Sequence, residues 1–163
     1  MRWLRHLCMR PAGHWFDEPA LAAITAAIAA GEQRHAGQLV LAVEAELGWR
    51  ALWRGDTPRQ RAEQAFSRLR VWDTEDNNGV LLYLLLADHA IEVVADRGLQ
   101  GRVTEAQWQQ VCSRLRERVR GGMGLAAAVE QAIVELSDLL AVVMPGQAGV
   151  GPADALGDRP HLL

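Results

Sequence analysis

Four segments of the chain carry apolar residues at the three- and four-residue spacing of an amphipathic helix. We predict helices at about residues 18–34, 57–70, 104–120 and 125–143. Two of these helices begin with the pattern of a capping box, Thr57 with Gln60 and Thr104 with Gln107. Asp17 is a suitable N-cap for the first helix.

Three other segments have the composition of β-strands. Residues 38–46 form the first, and residues 80–86 (VLLYLLL) form the second without any alternation, which is typical of a strand buried on both faces. After Asp88-His89, residues 90–95 are again rich in residues that favour β-strands, so the two later strands are predicted to form a hairpin. If Ala87 faces Ala90, Gly79 lies opposite Gly98.

The order strand, helix, strand indicates an α/β fold, because a right-handed crossover makes the first two strands parallel. We predict one domain at residues 17–143 with a small mixed sheet, preceded by an arm at 1–16 and followed by a flexible tail at 144–163. Residues 48–55 are a loop or a short helical turn.

Trp3, Leu4 and Leu7 give the arm a weakly amphipathic character among basic residues. A membrane-surface helix is one interpretation, but so short a segment buries little area, and packing on the domain is favoured. The arm lacks a long apolar stretch, and the chain has no apolar run of about 18 residues. We therefore expect a cytoplasmic protein without a secretory signal or transmembrane segment.

The composition of the chain argues against several classes of function. The net charge of −3 argues against a dedicated nucleic-acid-binding protein, although every cation is an arginine. The arginine-rich face of residues 114–120 is interpreted as the solvated side of a helix. Cys8 and Cys112 are isolated, so they indicate neither a zinc site nor a disulfide framework.

The sharpest polar feature is the loop at residues 72–79, whose sequence is WDTEDNNG. It offers closely spaced oxygen donors, as a hard cation such as Ca²⁺ or Mg²⁺ requires. These donors are Asp73, Glu75, Asp76, Asn77 and Asn78. The spacing is not that of an EF-hand, and the same residues also make an ordinary solvated turn.

The predicted topology brings other polar residues to this loop. Asp96 follows the third strand, and His35 and Gln38 precede the first, so all three are expected at the same sheet edge. A histidine beside carboxylates can titrate near neutrality. A surface position at a helix end is the favoured interpretation of His35.

Three segments carry a family resemblance: RVW at residues 70–72, NNGVLL at 77–82 and IEVVADRGL at 91–99. Together they resemble the TPM-domain family, a group that includes a thylakoid-lumen protein described as an acid phosphatase. The sequence of the loop at residues 72–79 is similar to that of the short bacterial members of the family. The resemblance covers about residues 16–143.

The resemblance implies a Rossmann-like α/β/α sandwich, Ca²⁺ binding at the polar sheet edge, and a phosphatase activity. Carried over by position, the metal-binding candidates are Asp73, Asp76, Asn77 and Asp96. Gln38 stands where short members tend to have a glutamate, so a neutral amide replaces one carboxylate.

Two functional hypotheses follow. The first is a metal-dependent phosphatase, a phosphoric monoester hydrolase, in which the acidic edge holds a cation that polarises a phosphate. The second is a non-catalytic or weakly catalytic cation-binding module that works beside a membrane or with an unidentified partner protein. We favour the second, because no activated nucleophile or general base is evident in the chain.

Overall fold

A computed structural model describes residues 10–146 and 156–163 of the chain. The helices are α1 (Glu18–Glu32), α2 (Trp49–Arg54), α3 (Pro58–Arg68), α4 (Glu105–Arg120) and α5 (Leu125–Val143). The strands are β1 (Gln38–Glu44), β2 (Gly79–Leu85), β3 (Ala90–Ala95) and β4 (His161–Leu162). Within this described part, no helix combines the length and the apolar character that crossing a membrane requires.

The strands form one mixed sheet with the order β3-β2-β1-β4. β1 runs parallel to β2 and to β4, whereas β2 and β3 form an antiparallel hairpin. This confirms the predicted pairing of the first three strands, with β2 inside the sheet. The short strand β4 differs from the prediction, because its residues end the segment expected to be a flexible tail. Residues 147–155 of that segment lie outside the described part.

Helices cover both faces of the sheet and make a three-layer α/β structure. Leu41 and Leu82 belong to the core on the side of α1, α4 and α5. Ala42 and Tyr83 belong to the core on the side of α2 and α3. Every residue of β1 and β2 is buried, as the unbroken apolar run predicted. Each fully buried leucine contributes about 1.5–3 kcal/mol by leaving water, so this double burial is what fixes β2 in place.

The hairpin register differs from the prediction by two residues. Leu85 pairs with Ala90, so the turn comprises the four residues 86–89 rather than Asp88-His89 alone. Within this longer turn His89 takes the left-handed conformation, with a φ of 52°. A shift of two leaves every side chain on its predicted face. It does change which residue of the third strand's end lies beside Gly79, because that residue is Asp96 and not Gly98.

The predicted helix starts are confirmed. Thr57 and Thr104 each accept a hydrogen bond from the backbone three residues on, and both capping boxes are complete. The uncertain segment after β1 forms the short helix α2. Of the predicted N-terminal arm, residues 10–16 are described, and Ala12 and Phe16 are buried in the core. Trp3, Leu4 and Leu7 lie outside the described residues.

Candidate functional site

The sheet topology brings three polar segments to one edge. The parallel strands start there, with Gln38 level with Gly79. The antiparallel strand β3 ends there, and the Asp96 amide donates to the Gly79 carbonyl at 2.9 Å. The loop at residues 72–78 enters β2 at the same place. The structure thus brings together the sequence segments that the prediction assigned to this edge, which we call the polar edge.

Two glycines allow the backbone segments of the polar edge to touch. A Cβ atom on Gly98 would lie 2.5 Å from the carbonyl oxygens of both Asp76 and Asn77, too close for any larger residue. A Cβ atom on Gly79 would lie 1.9 Å from the carbonyl oxygen of Val71. The Gly98 amide donates to the Asn77 carbonyl at 2.8 Å, which ties the two loops together.

Two members of the candidate metal set, Asp73 and Asn77, already have cationic partners. Asp73 forms an ion pair with Arg70 at 2.5 Å, and both side chains are largely exposed. The Asn77 side-chain oxygen accepts a hydrogen bond from Arg97 at 2.9 Å. Asp76 and Glu75 are exposed. An exposed ion pair of this kind contributes little to stability, about 0–1 kcal/mol, so it can open to admit a competing cation.

Two oxygen atoms at the polar edge are buried and lack hydrogen-bond partners among the described residues. One is Oδ1 of Asn78, whose Nδ2 donates to the Ala36 carbonyl at 2.5 Å. The other is Oδ2 of Asp96, whose Oδ1 accepts from the Arg97 amide at 2.7 Å. A buried polar atom in a native protein normally has a partner, which can be protein, ordered water or an ion.

His35 is buried, so the favoured surface position was wrong. Only 1% of the residue is exposed, and its Nδ1 lies 3.0 Å from the Gly37 carbonyl oxygen. The other ring nitrogen points toward α1, where it lies 3.3 Å from a Cβ placed on Gly31. Burial lowers the pKa of His35 to about 4. A neutral, weakly basic imidazole in the interior is a poor general base at neutral pH.

No three His, Cys, Asp or Glu side chains in the described ranges lie close enough together to hold a metal ion. Any cation at the polar edge would therefore take part of its coordination from amide oxygens, carbonyl oxygens and water. Gln38 is buried at this edge, and its backbone N–H donates to the Asn78 backbone carbonyl at 3.1 Å.

A model of the TPM domain matches residues 12–139 of the chain. The chain belongs to the TPM domain family. The fold of this TPM domain is also that of the BA42 protein from the psychrophilic bacterium Bizionia argentinensis, solved by NMR. The two are 20% identical, with a TM-score of 0.77 over 90% of this chain and 94% of the other. No curated protein matches the sequence.

Sequence reasoning missed a buried polar network at the opposite edge of the TPM domain. Glu44 ends β1, a position where a charged residue is ordinarily solvated, but only 7% of it is exposed. Its carboxylate pairs with Arg61 at 2.5 Å and accepts a hydrogen bond from the Tyr83 hydroxyl. The available signal was a single polar ring, Tyr83, within an otherwise aliphatic strand, since a buried tyrosine hydroxyl needs a partner.

Proposed function

We propose that this TPM domain is a binding module that holds a divalent cation weakly at the polar edge and has no efficient turnover. The observation that carries the proposal is the pair of buried, unpartnered oxygens on Asn78 and Asp96. A carboxylate and an amide oxygen are ligands that Ca²⁺ accepts readily, and Mg²⁺ is the alternative.

The residues fit a weak site and not a strong one. Asp96 would supply the charge and Asn78 a neutral oxygen, while the carboxylates of Asp73 and Asp76, in the loop that precedes Asn78, are exposed. Gln38 is neutral where a glutamate would add charge. Few carboxylates mean low affinity, and we expect a dissociation constant of roughly 10⁻⁴ to 10⁻³ M.

Titration of the purified protein with Ca²⁺ and Mg²⁺, followed by calorimetry and by thermal unfolding, tests the cation site. Binding to the native state raises the melting temperature by mass action. Asp96→Asn keeps an oxygen for the Arg97 amide but removes the charge, and should abolish the response. Glu46→Gln, an exposed position beyond the end of β1, removes the same charge elsewhere and should have no effect. No heat at millimolar concentrations of either ion would refute the site.

The phosphatase hypothesis has less support, because the polar edge offers no activated group. His35 is buried and weakly basic. The hydroxyl of Thr74, the nucleophile within the loop, accepts a hydrogen bond from the backbone N–H of Asn78 at 3.0 Å. It has no side-chain base as a hydrogen-bond partner among the described residues, so nothing would remove its proton.

An assay on an activated aryl phosphate with Ca²⁺, Mg²⁺ and Mn²⁺ distinguishes the two hypotheses. We expect little or no hydrolysis. Turnover near the ~10 s⁻¹ typical of enzymes, lost in both Asp73→Ala and Asp96→Ala, would establish the phosphatase and refute the binding module.

A further inference from the structure

A largely apolar cavity of about 370 Å³ lies at the far end of the sheet from the polar edge, between the hairpin turn and the last turns of α4. Leu86, Ile91, Val119 and Leu125 contribute aliphatic surface, and the Trp15 ring forms part of the wall. This volume is within the range of sites that hold small molecules. The cavity therefore has the size and the apolar walls of a binding site.

Two arginines of α4, Arg116 and Arg120, line the same cavity. Their neighbours on the helix have an acidic partner, since Arg114 and Arg118 both pair with Glu135. Arg116 and Arg120 form no ion pair within the described part of the chain. Cations near a helix C-terminus interact favourably with the helix dipole, which explains part of their placement. The dipole does not explain why both of them line an apolar cavity.

Glu92, an acidic residue whose charge interacts with that of Arg116, pairs with a different arginine. Burial raises the pKa of Glu92, and the charges of Arg59 and Arg116 partly oppose that rise. The ion-pair partner of Glu92 is Arg59, at 3.8 Å. The cavity thus carries the positive charge of Arg116 and Arg120 without a carboxylate in its wall.

We propose that this cavity binds an amphipathic carboxylate, with its hydrocarbon body among the aliphatic side chains and its headgroup at Arg116 and Arg120. Guanidinium groups match the planar, two-oxygen geometry of a carboxylate. The apolar walls accept an alkyl chain, and the burial of that chain supplies the rest of the affinity. This site is separate from the cation site at the polar edge and does not depend on it.

Calorimetric titration of the full chain with decanoate, below its micelle concentration, tests the headgroup preference. Decanol and a decyl ammonium salt carry the same alkyl chain with no charge and with the opposite charge. We expect saturable binding of one decanoate per chain, at least about tenfold tighter than either analogue, because a charge-assisted hydrogen bond is worth a factor of ten or more. Equal binding of all three, or no saturable binding, would overturn the proposal.

Variants locate the site. Replacing Arg116 and Arg120 together by Gln should weaken decanoate at least about tenfold and leave decanol unchanged. Arg114→Gln, on the same helix but outside the cavity wall, removes one charge, as Arg116→Gln alone does. Arg116→Gln should weaken decanoate binding, whereas Arg114→Gln should leave it unchanged. Equal weakening by Arg114→Gln would mean that the net charge of the helix, and not a site, attracts the ligand.

A second pair of variants tests the cavity itself. Val119→Trp fills the cavity from a position that is 37% exposed, so the fold should tolerate it. We expect it to abolish decanoate binding. Val134→Trp makes the same change on α5, at a 46% exposed position outside the cavity, and should have no effect. Unchanged decanoate binding in Val119→Trp would overturn the proposal. So would a concentration-dependent dimer of the wild-type protein that decanoate does not dissociate, because a second copy of the chain would then cover the cavity.

Discussion

Replacing Tyr83 by phenylalanine isolates one interaction of the buried network that links β1, β2 and α3. The Tyr83 hydroxyl donates to the Glu44 carboxylate, and the ring is completely buried. The substitution removes one oxygen atom and leaves the ring in place, so the core keeps its packing. The perturbation is therefore the loss of a single hydrogen bond to a charged group.

The magnitude follows from what Glu44 retains. Arg61 still donates to both carboxylate oxygens, at 2.5 Å and 3.3 Å, so the acid is not left as an uncompensated buried charge. A hydrogen bond to a charged group contributes about 1.5–3 kcal/mol. We expect Tyr83→Phe to lower the free energy of unfolding by that amount. In a domain of this size each kcal/mol shifts the melting temperature by ~2–4 °C.

The pH dependence gives a second measure of the same bond. Burial and the hydrogen bond to Glu44 raise the pKa of Tyr83 above its ordinary value of 10.0. The folded state therefore favours the neutral phenol, whereas the unfolded chain ionises at its ordinary pKa. The stabilisation is complete below pH 10 and is lost as the pH rises further.

The assay is unusually direct, because Tyr83 is the only tyrosine in the chain. Near-ultraviolet tyrosinate absorbance should remain absent from the folded protein above pH 10 and should appear only with unfolding. Urea denaturation at neutral pH measures the free-energy difference between the wild type and Tyr83→Phe. Ionisation near pH 10 in the folded state, or a loss below about 0.5 kcal/mol, would show that the hydroxyl does not make a buried charged hydrogen bond.

Three further predictions concern His35, Gly98 and Cys112. Burial lowers the pKa of His35 to about 4 from 6.5, so on acidification the unfolded chain binds a proton before the folded protein does. The free energy of unfolding should therefore fall by ~2 kcal/mol from pH 7 to pH 5 in the wild type, but not in His35→Gln. Gly98→Ala should cost about 1–3 kcal/mol in urea denaturation and abolish the Ca²⁺ response, since a Cβ there meets two loop carbonyl oxygens at 2.5 Å. Burial raises the pKa of the Cys112 thiol to about 11, so in Cys8→Ser it should react with a disulfide reagent only upon unfolding.

Elements that depend on local signals were predictable from the sequence. The capping boxes at Thr57 and Thr104 satisfy backbone groups within three residues, so their chemistry is visible in the chain itself. The apolar run at 80–86 predicted a strand buried on both faces, because a strand with one solvated face would alternate apolar and polar residues. These two kinds of signal were sufficient for the layer architecture.

The hairpin register was not predictable, because Asp88-His89 has no strong turn preference. The sequence offers no Asn-Gly or Asp-Gly pair to set the loop length. The turn that forms contains four residues, and His89 takes the left-handed conformation. β4 was missed for a related reason, since a two-residue edge strand is too short to show a pattern.

The details of the candidate site depend on contacts between distant residues. The pairing of Asn77 with Arg97 joins positions on two loops, and the ion pair of Glu44 with Arg61 joins a strand to a helix. Neither pairing can be predicted from the spacing of the residues along the chain. The burial of His35 depends on α1 and α5 packing over it, which no local pattern around the histidine indicates.

The two proposed sites lie at opposite ends of β2, and this separation predicts that they act independently. A strand of seven residues is ~23 Å long, and charges that far apart are screened at physiological salt, where the Debye length is about 8 Å. β2 is buried along its whole length, so it offers no second packing through which binding at one end could alter the other. Asp96→Asn should therefore leave decanoate affinity unchanged, and replacing Arg116 and Arg120 by Gln should leave the Ca²⁺ response unchanged. A change above about threefold in either cross-test would require a conformational change that links the two ends of the sheet.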